Sequence, residues 1–209
     1  MDHDRLGELY GRDEYYWGTE PNDLAETALG HLADPEDHLA DPEEAVVADV
    51  GAGEGRDAVF FAERGATVYA IDPIAEGLEK AERLAADRDV EVRTRVGDVN
   101  DLELPETVDL FYSIGTVQYL RPENRAAQFD HFREATRPGG VHAVFAFVDH
   151  PEVPTPPDWG DNEHFYEQGE LRGYYDDWDV LDESALVFDD DSGGEPHQHA
   201  AEIVTARKP

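Results

Sequence analysis

Hydrophobic residues in this 209-residue chain fall into short apolar runs separated by stretches of helical periodicity. Val46 to Val50 is one run, interrupted only by Asp49, and Ala66 to Ile71 is another. Both read as strands buried on the two faces of a parallel sheet. Val90 to Val96 alternates instead, with Val90, Val92, Thr94 and Val96 set against Glu91, Arg93 and Arg95, as in a half-covered strand. Val108 to Ser113 and Val141 to Val148 follow, the latter entered through the turn Pro138-Gly139-Gly140. Spacings of three and four predict the helices between them. These are Arg56 to Arg64 around an apolar centre, Ala58 to Ala62, and Ala75 to Ala86 with Leu78, Ala81, Leu84 and Ala85 inward. A third runs from Pro122 to about Thr136, with Ala126, Phe129 and Phe132 toward the sheet. An earlier helix, capped by Asn22 or Asp23, puts Leu24, Ala25, Ala28, Leu29 and Leu32 on one face. Strands alternating with helices predict a doubly wound α/β sheet.

After Val148 the pattern changes. Residues 149–163 hold five acids, four prolines, His150 and Trp159, and read as a mobile loop or lid on the strand-end side of the sheet. Gln168 to Tyr175 reads as helix. Two strands, about Trp178–Phe188 and His199–Ala206, flank Asp-Asp-Asp-Ser-Gly-Gly and predict an antiparallel hairpin. Upstream, Tyr10, Tyr15, Tyr16 and Trp17 crowd an N-terminal arm, and Ala33 to Glu44, with Pro35 and Pro42, reads as a solvated connection. The expected organisation is an aromatic arm and helix, residues 1–44, capping one domain formed by residues 45–209. No internal repeat or second domain is expected.

The stretch Asp49-Val50-Gly51-Ala52-Gly53-Glu54-Gly55-Arg56 joins a strand to a helix. Glycines at alternate positions let a ligand lie against bare backbone. The dinucleotide fingerprint G-x-G-x-x-G would put its third glycine at position 56, where Arg56 stands. Asp72 ends the second strand, 21 residues beyond Gly51. A carboxylate there accepts from both hydroxyls of a ribose, and it also caps the following helix with Pro73 at the first helical position. Asp98, followed by Val99, ends the third strand, so three successive strand ends carry an acid.

Fifty acids against sixteen bases give a formal charge of −34, and only Lys80 and Lys208 are lysines. With 40 % hydrophobic residues the chain should nonetheless fold. Such a surface suits a cytoplasmic protein of a high-salt organism, where a Debye length of about 3 Å at 1 M salt screens self-repulsion. There is no basic patch for nucleic acid, no apolar run long enough for a membrane span, and an acidic N-terminus unlike a secretory signal. The absence of cysteine excludes disulfides, thiolate metal sites and cysteine nucleophiles, including the C5-pyrimidine methylation route. No metal is expected, and the chain is expected to be a monomer or homodimer.

The pattern D-x-G-x-G-x-G at Asp49 to Gly55 resembles motif I of the class I S-adenosylmethionine-dependent methyltransferases. That resemblance implies a Rossmann-like, seven-stranded, mostly parallel sheet of order 3-2-1-4-5-7-6 with an antiparallel C-terminal hairpin. It also implies S-adenosyl-L-methionine as cofactor and S-adenosyl-L-homocysteine as product. The implied cofactor-binding set is Gly51, Gly53 and Gly55 as bare backbone beside Arg56, Asp49 toward the methionine ammonium and Asp72 with Pro73 at the ribose. Asp98 would take the adenine amine, Val99 flank the ring, and Ser113 and Ile114 face the methyl. Tyr16 and Trp17 either fold over the cofactor as a lid or pack the N-terminal helix.

Gly169-Glu170-Leu171-Arg172-Gly173-Tyr174-Tyr175-Asp176-Asp177-Trp178 and Ala206-Arg207-Lys208 resemble the C-terminal signature of the TehB-like tellurite-resistance methyltransferases. The resemblance runs from about residue 45 to the end and implies methyl transfer to tellurite, selenium or other chalcogen substrates. Members carry a His-Arg pair in the hairpin. Here the matching Val187 to Asp191 is apolar and acidic and repels an anion. His197 and His199 lie across the turn on one face of a strand, and either stand in for that pair or are surface histidines. With Arg172 and Tyr174 they are the acceptor-pocket candidates, although a helix packing face explains the tyrosine equally well. Amino-directed methyltransferases carry Asn/Asp-Pro-Pro-Tyr/Phe where this chain has Ser113-Ile114-Gly115-Thr116. A small nucleophilic acceptor is therefore expected: a chalcogen oxyanion, a thiol or a small metabolite. The alternatives are an NAD(P)-dependent oxidoreductase and a non-catalytic S-adenosylmethionine-binding protein.

Overall fold

The computed structural model describes residues 3–32, 44–157, 159–191 and 194–209. The expected solvated connection falls, apart from Glu44, outside the described residues, as do Ser192 and Gly193 of the hairpin turn. Seven strands form one sheet in the order β3-β2-β1-β4-β5-β7-β6. β1 (Val46–Val50), β2 (Thr67–Asp72), β3 (Arg93–Val96), β4 (Val108–Ser113) and β5 (Thr136–Phe147) run parallel. β7 (His197–Arg207) lies antiparallel between β5 and β6 (Asp179–Asp190). This is the order, and the hairpin, that the resemblance implies.

Every residue of β1 and β4 is buried, as continuous apolar runs require. Side chains alternate across β4. Phe111 enters the face that holds Phe129, Phe132, Tyr166, Tyr175 and Trp178. Leu110 and Tyr112 enter the other, with Leu24, Ala28, Leu32 and Phe61. The first face is covered by α5 (Pro122–Glu134) and α6 (Glu170–Gly173), the second by α2 (Asp23–Leu32) and α3 (Arg56–Glu63). The inward residues expected of α4 (Ala75–Asp87) are all buried. Against its start packs α1 (His3–Tyr10), through Leu6, Leu9, Tyr10 and Ile74.

Several boundaries differ for physical reasons. β3 begins only at Arg93, because Val90 and Val92 leave the sheet to pack against Val59, Leu84 and Ala85. On α5, Ala126 is exposed and Arg125 is buried in its place. The Arg125 guanidinium donates to the Glu170 carboxylate at 2.9 and 3.0 Å and to the carbonyls of His164 and Phe165, and it lies 3.7 Å over the Tyr166 ring. A guanidinium whose two terminal nitrogens are both hydrogen-bonded occupies a core position that the apolar pattern gives to alanine. β5 starts at Thr136 and runs through Pro138-Gly139-Gly140, where the Gly139 N–H donates to Lys208. The helix expected over Gln168 to Tyr175 is reduced to the four residues of α6, entered through Gly169 at φ +78°. Buried His142 bonds Thr136 Oγ1 and Tyr175 Oη, and desolvation pushes its pKa well below the ordinary value.

Candidate active site

A cavity of about 630 Å³ is lined by the residues that follow the C-terminal ends of β1, β2, β3 and β4. The glycine loop forms part of its floor. Gly51 has φ +86°, and a Cβ there would lie 1.6 Å from Thr116 Oγ1, so only glycine lets the loops after β1 and β4 approach. Gly55 acts differently from its expected role. It too is left-handed, but its Cβ would meet that of Ala81 at 2.4 Å, and it does not line the cavity. Its lack of a side chain seats the start of α3 on α4. Gly51, Ala52 and Gly53 are the loop's cavity-facing backbone before Glu54.

Three acids surround this floor. Asp49 is 1 % exposed and lines the cavity, and neither of its carboxylate oxygens makes a hydrogen bond of normal geometry, the Ala58 N–H giving only a weak backbone contact. Burial foremost, and then the charges of Asp57 and Asp72, raise its pKa well above the usual carboxylate range. Asp57 accepts from the Asn22 N–H at 2.7 Å and from the Tyr112 hydroxyl at 3.1 Å, and burial raises its pKa as well. Asp72 accepts from the Gly53 N–H through Oδ2 and from the Ile74 N–H through Oδ1, both at 2.9 Å. Each oxygen keeps a lone pair for a ligand. Burial pushes Asp72 up to about 6. The helix that Asp72 precedes is capped at Ile74, so Pro73 lies before the helix, on the cavity wall, and not at its first position.

Asp98 and Val99 line the cavity beyond β3, Asp98 exposed and accepting from the Asn100 N–H at 2.8 Å, Val99 buried. After β4 the expectation needs one correction. Ser113 is fully buried, its hydroxyl donates to the Val50 carbonyl at 2.9 Å, and it does not face the cavity. Ile114, Gly115 and Thr116 do.

The N-terminal arm closes another side. Trp17 lines the cavity, its N–H donating to Glu54 Oε2 at 3.0 Å and its Nε1–H to Tyr10 Oη at 3.0 Å. Arg56, also on the wall, donates to the Trp17 carbonyl. Tyr16 instead packs edge-on against Trp17 and onto the Leu6, Leu9, Tyr10 and Ile74 cluster. Beneath the arm lies a buried pair that the apolar pattern does not reveal. Lys80 donates to Glu54 Oε1 at 2.6 Å and to the Glu14 carbonyl at 2.5 Å, with no exposed surface of its own. Its one advance signal is lysine in a chain whose other bases are nearly all arginine.

The far wall comes from the hairpin. Alternate residues Asp182, Ser184, Leu186, Phe188 and Asp190 of β6 face the cavity, with Phe145 and Phe147 of β5 and His199 and Ile203 of β7. Trp159 and Glu163 close the wall from the 149–163 loop. His199 is therefore at the site and His197 stands directly behind it, 3.0 Å away between Nε2 atoms. Arg172 and Tyr174 are elsewhere. Arg172 pairs with Asp176 and Glu183, and Tyr174 stacks 4.2 Å from Phe129 while donating to Glu170. Both belong to the packing of α6, which the Arg125–Glu170 pair fixes on the opposite face of the sheet.

The segment from 47 to 140 matches the family model described as methyltransferase domain. Residues 47–140 thus carry the sequence pattern of a methyltransferase domain. The domain contains the glycine loop, Asp72, Asp98 and Ile114, while the arm and the hairpin lie outside the match. Among solved structures, TehB from Haemophilus influenzae superimposes with a TM-score of 0.75 at 20 % identity, covering 99 % of this chain and 66 % of that one. The N-methyltransferase NodS from Bradyrhizobium japonicum WM9, solved with S-adenosyl-L-homocysteine, gives 0.70 at 14 % identity, covering 99 % and 98 %. Both are likenesses of fold, and they place the methyltransferase domain in the architecture that motif I implies. Hemagglutinin 1 of Eikenella corrodens is 26 % identical over 164 residues, 77 % of this chain. The chain spans 54 % of that relative's length. Among the described residues no helix is long and apolar enough to cross a membrane.

Proposed function

We propose that the methyltransferase domain moves the methyl group of S-adenosylmethionine to a small nucleophilic acceptor: a thiol, a chalcogen oxyanion or a small metabolite. The observation that carries this reading is Asp49, a buried carboxylate facing the cavity with no hydrogen bond of normal geometry and no cation beside it to balance its charge but Arg56. Such a group is costly unless a cation satisfies it, and the ammonium of an amino-acid tail does so. Asp72, with one lone pair left on each oxygen, suits ribose hydroxyls, and Asp98 with Val99 suits a purine. The bare backbone of Gly51 and Gly53 lets such a ligand approach. Trp17, held by Glu54 and Tyr10, covers it as part of the N-terminal arm, residues 1–44.

When bound, the cofactor supplies a sulfonium methyl whose C–S bond breaks with its electron pair remaining on sulfur. The acceptor contributes the lone pair for the new bond, and a protonated acceptor gives up its proton. This chain's residues align and enclose. Ile114 to Thr116 and the β6 face bound the space that the acceptor must occupy, and alignment of this kind supplies about 7–11 kcal/mol of a barrier. Phe145, Phe147 and Phe188 exclude water there. We propose further that the protein works in the cytoplasm at high salt, a setting that its charge of −34 suits.

The test is turnover. Purified protein in 2 M KCl is incubated with S-adenosylmethionine and a panel of thiols, selenite, tellurite and small amines, and S-adenosylhomocysteine is quantified. Acceptor-dependent product with at least one small nucleophile supports the reading. Tight cofactor binding without turnover on any of them makes the protein a non-catalytic binder.

A further inference from the structure

We propose that Asp190, His197 and His199 form a binding site for one zinc-class divalent metal ion at the hairpin wall of the cavity. The fold brings them together. Across the hairpin Asp190 pairs with His197 and Phe188 with His199, so the carboxylate and both imidazoles share one face. The neighbouring register, Phe147 with Ala201, sets this face beside the end of β5, at the same edge of the sheet as the glycine loop.

The spacing suits a metal. The two Nε2 atoms are 3.0 Å apart, and Asp190 Oδ2 lies 3.3 Å from that of His199 and 3.8 Å from that of His197. Three atoms so separated share an equidistant point about 2.0 Å from each, which falls in the range of zinc–nitrogen and zinc–oxygen bonds. The tautomer suits it as well. His197 Nδ1 lies 2.6 Å from the Glu195 carbonyl, which only accepts, so Nδ1 carries the proton and Nε2 of the neutral ring presents its lone pair. A ligating imidazole anchored through its other nitrogen is the usual second layer of a metal site. His199 is 5 % exposed, with its ring 4.7 Å from that of Phe147 and 5.6 Å from that of Phe188, so it is already oriented.

Two imidazoles and one carboxylate favour zinc and its neighbours over magnesium or calcium, which take oxygen ligands. Three protein ligands also leave a coordination position open. Asp190 and His199 line the cavity, so an exogenous ligand reaches that position from the site. This part rests on the proposed methyl transfer: an ion here draws an anionic acceptor into a cavity whose charged lining, Arg56 apart, is acidic, with Asp49, Asp72, Asp98, Glu163 and Asp182 among it. A thiol bound to it is held as thiolate, its proton passing to solvent before its sulfur takes the methyl.

Chelator-stripped full-length protein is titrated with Zn²⁺ by calorimetry and with Co²⁺ by visible absorption, in 2 M KCl with and without 10 mM Mg²⁺. The expected result is one ion per chain, a cobalt spectrum typical of low coordination, and no displacement by Mg²⁺. His199→Ala and Asp190→Asn each weaken Zn²⁺ by more than the roughly 10- to 100-fold that outer-shell changes cost, while S-adenosylhomocysteine affinity changes less than about threefold and shows that both variants fold. Absence of stoichiometric Zn²⁺, or equal binding by a His197→Ala/His199→Ala double variant, overturns the site and reduces the pair to a shared N–H···N bond. Metal binding by a protein that ignores S-adenosylhomocysteine would instead uphold the site and defeat the proposed methyl transfer.

Discussion

Replacing Asp49 by asparagine should stabilise the empty protein and weaken cofactor binding at the same time. The substitution keeps the shape and removes the charge. Asp49 is 1 % exposed, and neither oxygen makes a hydrogen bond of normal geometry. A buried polar group left unsatisfied costs about 1–3 kcal/mol, and a charged one more. An amide suffers less from the same burial, so a gain of about 1–2 kcal/mol is expected, or about 2–8 °C in Tm for a domain of this size. The pH dependence has a definite sign. Burial raises the Asp49 pKa in the folded state, so the folded protein holds this proton longer than the unfolded chain does. The penalty is therefore absent in acid and grows as pH rises from the ordinary carboxylate range through the raised value. Wild type and Asp49→Asn should melt together at low pH and diverge above it. With cofactor the order reverses. Losing one partner of a buried charge pair costs about 2–5 kcal/mol, or about thirty- to several-thousand-fold in Kd. Scanning calorimetry across pH in 2 M KCl, with and without S-adenosylhomocysteine, reads both effects. A variant that melts lower when empty and still binds S-adenosylhomocysteine as wild type does would refute the reasoning.

Lys80→Ala leaves Glu54 buried without its cation and should cost about 3–5 kcal/mol in urea unfolding. Lys80→Met combined with Glu54→Leu should recover most of that loss, and no recovery would mean that the pair matters through something other than its charge. Among the described residues Arg172 forms ion pairs with the exposed Asp176 and Glu183, so Arg172→Ala should lower stability by less than about 1 kcal/mol and leave turnover within twofold. A large loss of turnover would return Arg172 to the acceptor site. With 50 acids against 16 bases, Tm should climb between 0.1 and 3 M KCl, and a flat profile would show that self-repulsion is already balanced within the fold.

What was legible in the sequence was local. The run into Gly51, the acids at Asp72 and Asp98 and the hairpin all announce themselves within a few residues, while the sheet order was implied by the resemblance to class I methyltransferases. Roles decided by distant contacts were not legible. Gly55 looks like its neighbours until Ala81 packs against it. Ser113 looks exposed at a strand end until its hydroxyl finds the Val50 carbonyl. Arg125 breaks the apolar pattern of α5, and only Glu170 and two carbonyls, 39 to 45 residues away, explain its burial. Arg172 and Tyr174 carry a family-like signature, yet they serve α6 rather than the cavity. The strand itself was expected, but nothing local says which face of an outer strand meets the site, and only the structure turns Asp182, Ser184, Leu186, Phe188 and Asp190 toward it.

The central claim is that the buried acids and bare backbone at these strand ends are shaped for S-adenosylmethionine and its product. Isothermal titration in 2 M KCl decides it, with S-adenosylhomocysteine in one experiment and NAD or NADH in the other. One molecule of S-adenosylhomocysteine should bind per chain, with no heat from the dinucleotides. Silence toward S-adenosylhomocysteine alongside saturable NADH binding would contradict the claim.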